Sequence, residues 1–340
     1  MTNFKRYFRS HLKANIKPFI YIAAAVLVLT FIIAFYAQQT RVYNKELEQI
    51  VDGYSPALGT PVAFAIILSY VIPVLEFSFF KKRNHLDCAY SLPISRRAMG
   101  AVHYLTGLIM LIGGFTMSYL TNLSMLYARG SEWVNLPPIL AHYFLCLILI
   151  FVMYSVMVFV FNEANTKGDG IWFMVLYTFV FAIAFDAVVV VIDNYGYGVG
   201  YIYTEGAISW GTITAITTHY DKLAQQPIPE FAIFWQTPEY IACFIFWIIA
   251  GIASTVGLFF TFGKRAMQKT EEISNSFFGY RVLIPIFAIC GMTFFEVSEF
   301  ALFWVIIECL AILGYTIYRR GFHYKKRDIA ILVALFAFLF

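Results

Sequence analysis

Charge is what this sequence has least of. Only 13% of its 340 residues are Asp, Glu, Lys or Arg, while 61% are hydrophobic and 19% aromatic. A water-soluble domain carries about 25% charged residues. The deficit excludes a chain solvated on all sides and makes lipid the solvent for much of it. Paired cysteines are lacking as well. Cys88, Cys146, Cys243, Cys290 and Cys309 form no C-x-x-C and no Cys/His spacing that suits zinc, so they read as small buried hydrophobes. A phosphate-binding loop is missing too. "TFGKRAM" at 261–267 has Gly263-Lys264, but Leu258 stands where the first glycine is needed and Arg265 where Ser or Thr is needed. Neither H-E-x-x-H nor G-x-S-x-G occurs. His11, His85, His103, His142, His219 and His323 are scattered. His103 and His142 fall near span ends on opposite sides of the bilayer, and no metal or catalytic role is expected of either. Every basic cluster flanks an apolar run, which excludes a nucleic-acid surface.

What the sequence does have is long apolar runs. A helix needs about 20 apolar residues to cross the hydrocarbon core. Candidate spans are 18–38, 58–80, 100–127, 138–161, 170–192, 239–262, 282–295 and 300–318, with a last run at 329–340 too short to cross. The seventh and eighth are expected to form a tight helical hairpin around "FFEVSEF". The apolar run after the basic start is too long for a signal-peptide core and reads as an uncleaved first span. Strict alternation places 20 of the 24 lysines and arginines on one side, leaving Arg41, Lys45, Arg129 and Lys222 on the other. By the positive-inside rule the N-terminus is expected in the cytoplasm. Eleven acids accompany the four bases on the outer side; this reads as a solvated surface, with attraction for a cationic ligand as the sharper alternative.

Two segments outside the spans are patterned. In residues 1–17, Phe4, Tyr7, Phe8, Leu12 and Ile16 recur at helical spacing opposite Lys5, Arg6, Arg9, Lys13 and Lys17. This predicts a basic amphipathic helix in the headgroup layer, with Pro18 marking a bend into the first span. The outer segment 193–238 mixes five glycines at 196–211 with Tyr195, Tyr197, Tyr201, Tyr203, Trp210 and Trp235. Interfacial aromatics of this kind predict short amphipathic or re-entrant helices over the outer mouth of spans five and six. The fold class expected is all-α, a polytopic bundle of about eight spans.

Charge inside a span is expensive and marks a candidate for function. Glu76 lies near the cytoplasmic end of span two, Asp186 in span five and Glu308 in span eight. Each reads either as part of a proton or substrate relay, or as a lone carboxylate facing a polar cavity or hydrogen-bonded between helices.

The stretch "FFKKRNHLDCAYSLPISRRAMG", Phe79–Gly100, concentrates charge between spans two and three. Lys81, Lys82 and Arg83 can reach headgroup phosphates. Leu86, Ala89, Tyr90 and Leu92 can share a helical face, Pro93 stops that helix, and Ser95 can cap the next. A rigid cytoplasmic knuckle results, able to pass force from a partner to two membrane helices. With this knuckle, the amphipathic start and the elaborated outer segment, residues 1–262 resemble the type-2 ATP-binding cassette permeases of Gram-positive bacteria; the carrying motif is "SLPISRR", Ser91–Arg97. The resemblance implies a six-span core at 18–262 with a coupling loop at 81–97; the chain departs from the family in continuing through an additional hairpin and the start of a further apolar segment at 263–340. It implies a separate ATPase subunit, holding ATP and Mg, that docks on Lys82, Arg83, Leu86, Asp87, Tyr90, Leu92, Pro93, Arg96 and Arg97. It also implies a second permease subunit, identical or related, in the cell membrane. The chain itself is expected to carry no cofactor and no enzymatic activity, and to export a hydrophobic or amphipathic compound: a peptide, an antimicrobial or a lipid-like molecule. The alternatives are a non-transporting immunity or sensor protein and a proton-coupled secondary transporter, the latter weakened by the absence of paired intramembrane charges.

Overall fold

The computed structural model describes residues 2–36, 39–44, 49–54, 58–128, 136–194, 213, 216, 217, 220, 238–264, 270–272, 274, 276, 278–296 and 301–337. Its elements are α1 (Thr2–Tyr36), a hairpin of β1 (Gln39–Asn44) and β2 (Gln49–Tyr54), α2 (Gly59–Phe77), a 3₁₀ turn (Ser78–Lys81), and α3 (Arg83–Tyr90). Then follow α4 (Arg96–Ala128), α5 (Leu136–Glu163), α6 (Lys167–Asn194), α7 (Pro238–Lys264), α8 (Tyr280–Glu296), α9 (Ala301–Arg319) and α10 (Lys326–Ala337). Five of the described helices are long and apolar enough to cross a membrane: Asn3–Tyr36, Gly59–Lys81, Arg96–Ala128, Leu136–Glu163 and Phe244–Lys264. Their outward faces carry large apolar side chains such as Tyr21, Leu120, Phe144 and Ile249, each more than half exposed. Patches of that size suit lipid rather than water. The protein is a polytopic helical membrane protein.

The chain divides into two compact units. The first comprises residues 1–76, 93–157 and 209–263. Its axis is α4, buried on several faces because Gly100, Gly107, Gly113 and Gly114 let neighbours approach its backbone. α1 runs beside α4 in the same direction: Tyr7 meets His103, Phe19 meets Gly113, and the Thr30 and Ser118 hydroxyls lie 2.7 Å apart. α2 runs the opposite way, with Leu68 at Gly114 and Ile72 at Gly107. α5 is also antiparallel to α4, from the Tyr119–His142 hydrogen bond (3.0 Å) to that between Tyr104 and Ser155 (2.7 Å). These directions are the ones strict alternation of spans requires.

Two expectations change here. Pro18 does not end a separate interfacial helix: α1 is a single helix from Thr2 to Tyr36 with Pro18 inside it. Pro18 and Ala14, whose carbonyl loses its amide donor, both lie on the exposed side, where the freed carbonyl can be solvated. The amphipathic stripe of residues 1–17 continues along α1 as the buried positions Ala23, Val26, Thr30 and Ala34, so part of it faces protein rather than headgroups. The β hairpin between α1 and α2, paired from Gln39↔Tyr54 to Asn44↔Gln49, is a departure from an all-α chain. The β-branched and aromatic residues Thr40, Val42, Tyr43, Ile50, Val51 and Tyr54 were its signal. Of the outer segment 193–238, the described residues Ile213, Ile216, Thr217 and Tyr220 are helical and buried, as one helix face would be; most of that segment lies outside the described residues.

The second unit comprises residues 77–92, 158–208 and 264–340. α8 and α9 form the expected antiparallel hairpin, Gly291 against Ile307 and Gly314 against Ile284. α8 also packs on α6, with the Phe173 and Tyr280 rings 4.7 Å apart and the Tyr280 hydroxyl donating to Asp169 at 3.0 Å. α9 ends in a Schellman turn. The Gly321 amide bonds Thr316 O, the Arg320 amide bonds Ile317 O, and Arg320 sits at φ 52°, the position glycine usually takes.

The turn brings Arg319 onto Asp328 in a two-pronged pair, with Nε to Oδ2 at 2.7 Å and Nη2 to Oδ1 at 2.9 Å. Asp328 also accepts from the Lys325 amide at 3.1 Å, capping α10. Burial alone would raise the Asp328 carboxyl, but the Arg319 and Lys325 bonds outweigh it and hold it below the usual carboxylate range. A depressed carboxyl contributes its stability above the ordinary value and loses it as pH falls through the folded one. Thermal unfolding in detergent should therefore show wild type more stable than Asp328→Asn by about 1–2 kcal/mol near neutrality, the gap closing below about pH 4. A gap independent of pH would contradict this account.

Candidate functional site

The knuckle between α2 and α4 is held from below by a lysine. Lys81 ends the 3₁₀ turn and is buried (2% exposed). Its Nζ donates to the carbonyls of Phe161 (2.8 Å), Asn162 (3.2 Å) and Ala164, and lies 4.9 Å from the Phe161 ring centroid. These carbonyls lie at or just past the C-terminus of α5, where the helix dipole is negative, and Phe161 O also accepts the Ala164 amide at 3.4 Å. An ammonium satisfies several at once.

Beyond it, α3 is an eight-residue helix whose start is tied to the segment after α7. Arg83 Nε donates to Thr270 O at 3.0 Å, and its guanidinium lies 3.8 Å from both the Glu271 and Glu272 carboxylates. That segment is itself tied down: the Glu271 amide bonds Asn165 O, and Ser274 Oγ donates to Glu163 O at 3.1 Å. Leu86 is fully buried, and the His85 ring stacks on Phe79 at 4.8 Å. Ser95 caps α4 as its position suggests, its Oγ accepting from the Ala98 amide at 3.3 Å.

Of the residues expected to meet a partner, Lys82, Arg83, Asp87, Leu92, Pro93, Arg96 and Arg97 are exposed. Leu86 is not; it anchors α3 inside the chain. Tyr90 ends α3, and its side chain lies outside the described residues. Arg97 lays its stem over Gly263 of α7, with the guanidinium 6.0 Å from the Phe260 ring centroid.

The three intramembrane acids separate. Asp186 lies in α6, with its side chain outside the described residues. Glu308 is half-buried in α9, and its Oε2 meets no hydrogen-bond partner among the described residues. Glu76 stands at a junction of three helices. Its Oε2 is 2.9 Å from His11 Nε2 of α1 and 3.1 Å from His103 Nδ1 of α4. Its Oε1 accepts from Asn15 Nδ2 at 3.2 Å, and Tyr7 OH lies 3.3 Å from His103 Nε2. The two imidazole centroids are 4.0 Å apart. Sequence reasoning passed over this cluster because His11 and Glu76 are 65 residues apart and His103 and Glu76 are 27 apart. The only signal was that Tyr7, His11 and Asn15 recur at helical spacing on the amphipathic face. His142, on α5, joins Tyr119, Cys146 and Thr217 in a separate buried network.

The geometry defines a class, a helical membrane protein with a braced, polar knuckle and a buried histidine–carboxylate junction. Scanned against protein-family models the sequence matches none, and a search of curated proteins gives no match.

Proposed function

We propose that this chain is the membrane-spanning permease subunit of an ATP-driven transporter, worked by a separate ATPase that docks on the knuckle from the cytoplasm. The observation that carries the reading is α3: a helix too short to be a span, standing between two spans, with Lys82, Asn84, His85 and Asp87 exposed and its base clamped through Lys81 and Arg83. A polar helix on a loose loop would absorb a push; one whose base is locked to α5 passes it on. The 20-to-4 distribution of basic residues supports a cytoplasmic position for α3. Two copies, or this chain with a related one, would enclose the path, and ATP with Mg would be bound by the ATPase alone. The apolar, aromatic composition suits a hydrophobic or amphipathic cargo moved outward.

The test is co-purification with a candidate ATPase in lipid nanodiscs, with ATP turnover as the readout. Wild type should bind the ATPase and change its turnover. Lys82→Glu combined with Asp87→Lys, both at exposed positions, should weaken that coupling by ~10-fold or more with thermal stability retained. Equal coupling by the variant, or no ATPase bound by wild type, would remove the knuckle as a docking site.

A further inference from the structure

With Glu76 ionised, the junction of His11, Glu76 and His103 contains a contradiction that hydrogen bonding alone does not resolve. His11 Nε2 lies 2.9 Å from Glu76 Oε2, an acceptor, and 2.9 Å from Asn15 Nδ2, a donor. One ring nitrogen either donates or accepts. If it carries the proton and donates to Glu76, that proton opposes the Asn15 amide hydrogens. If it accepts from Asn15, its lone pair is pressed against the carboxylate. Turning the Asn15 amide over relieves His11 but sets Oδ1 3.2 Å from Glu76 Oε1, oxygen against oxygen.

A cation removes the opposition between His11 and Glu76, leaving only the 2.9 Å approach of Asn15 Nδ2 to His11 Nε2 to open slightly on binding. With His11 Nε2, Glu76 Oε2 and His103 Nδ1 all turning lone pairs to a common centre, Asn15 Nδ2 is free to donate to Glu76 Oε1. His103 then carries its hydrogen on Nε2, facing the Tyr7 hydroxyl. Both are the supporting bonds a metal site uses to orient its ligands. We infer that His11, Glu76 and His103 form a binding site for a divalent transition-metal ion that joins α1, α2 and α4.

The two histidine–carboxylate edges of the junction fit such an ion, and the two imidazoles would close on it from their present separation. No two of the three ligating atoms lie more than 4.8 Å apart. A tetrahedral zinc at its usual bond lengths sets neighbouring N and O ligands ~3.3 Å apart. The two histidine–carboxylate separations, 2.9 and 3.1 Å, are within a few tenths of that. Two imidazoles and one carboxylate without a thiolate suit Zn²⁺ and Fe²⁺ rather than Cu⁺, and leave a coordination position open. Glu76 and His103 are nearly inaccessible, at 4% and 6% side-chain exposure, while His11 at 16% leaves a way in. The inference is independent of the permease reading, since it concerns only residues of the first unit.

The test uses the full chain carrying a tag without histidine, stripped with chelator and dialysed against Zn²⁺ or Co²⁺. Wild type should retain about one metal ion per chain, unfold at a higher temperature with it, and show two imidazoles at ~2.0 Å by X-ray absorption. Glu76→Gln and His103→Ala should lose the ion, and His323→Ala, at an exposed position, should keep it. Should either variant fold poorly, the wild-type absorption spectrum decides on its own. A wild type that retains no ion, that shows no histidine in its spectrum, or whose ion survives Glu76→Gln would overturn the site.

Discussion

Replacing Lys81 by methionine should destabilise the second unit by about 3–5 kcal/mol, among the largest effects of any single change in this chain. Methionine keeps most of the stem's bulk, so the loss isolates the ammonium. Three carbonyls, those of Phe161, Asn162 and Ala164, then face one another in a site from which water is excluded, at the negative end of α5. Each buried carbonyl that loses a charged donor costs about 1–3 kcal/mol, and the Ala164 amide, still 3.4 Å from Phe161 O, and relaxation of the α5–α6 turn recover part of it. Lys81→Arg separates charge from shape: its planar fork does not reach three carbonyls converging on a point, so it should fall between wild type and methionine. The measurement is thermal or denaturant unfolding in detergent, together with protease nicking of the segment 81–97. A methionine variant as stable and as resistant as wild type would mean that Lys81 is not the brace of the knuckle.

Lys81 also shows where a sequence stops being informative. Read along the chain, Lys81, Lys82 and Arg83 are equivalent basic residues at the end of a span, and all three belong at the headgroups. Only the fold brings the end of α5 beneath the first of them. One turn further on, Leu86 reads as the apolar contact for a partner and is instead consumed inside the chain. What was legible was what local chemistry dictates. Five of the eight expected spans followed from apolar length, the end of α3 from Pro93, the cap of α4 from Ser95, and the α8–α9 hairpin from its short polar connection. The histidine–carboxylate junction was illegible for the opposite reason. Its members come from three helices, and nothing near His103 in sequence distinguishes it from a lone buried histidine. Glu76 was recognised as a candidate because a charge in a span is costly, which is a statement about the residue alone; its partners depend on how α1, α2 and α4 pack.

That packing is most sharply tested at Gly107. A β-carbon there would run into the Tyr154 hydroxyl and come within 2.9 Å of Ile72 Cγ2. Tyr154 and Ile72 are both fully buried, and the Tyr154 hydroxyl donates to Tyr104 O at 3.1 Å, so neither neighbour can step aside freely. Gly107→Val should therefore destabilise the first unit by about 4 kcal/mol or more, and Gly107→Ala by about 1–3 kcal/mol, measured by unfolding in detergent. Tyr154→Phe supplies the control. It removes the atom the new methyl strikes, at the expense of one hydrogen bond worth about 1 kcal/mol. Gly107→Ala and Tyr154→Phe together should then cost less than the sum of the two alone, by about 1 kcal/mol. Strict additivity would mean that α4 and α5 do not meet at this glycine. The same contact bears on the proposed metal junction, because Ile72 lies one helical turn before Glu76 on α2. A side chain at Gly107 that pushes α2 away from α4 also draws Glu76 away from His103, so Gly107→Val should weaken zinc retention in a protein whose three ligands are all intact.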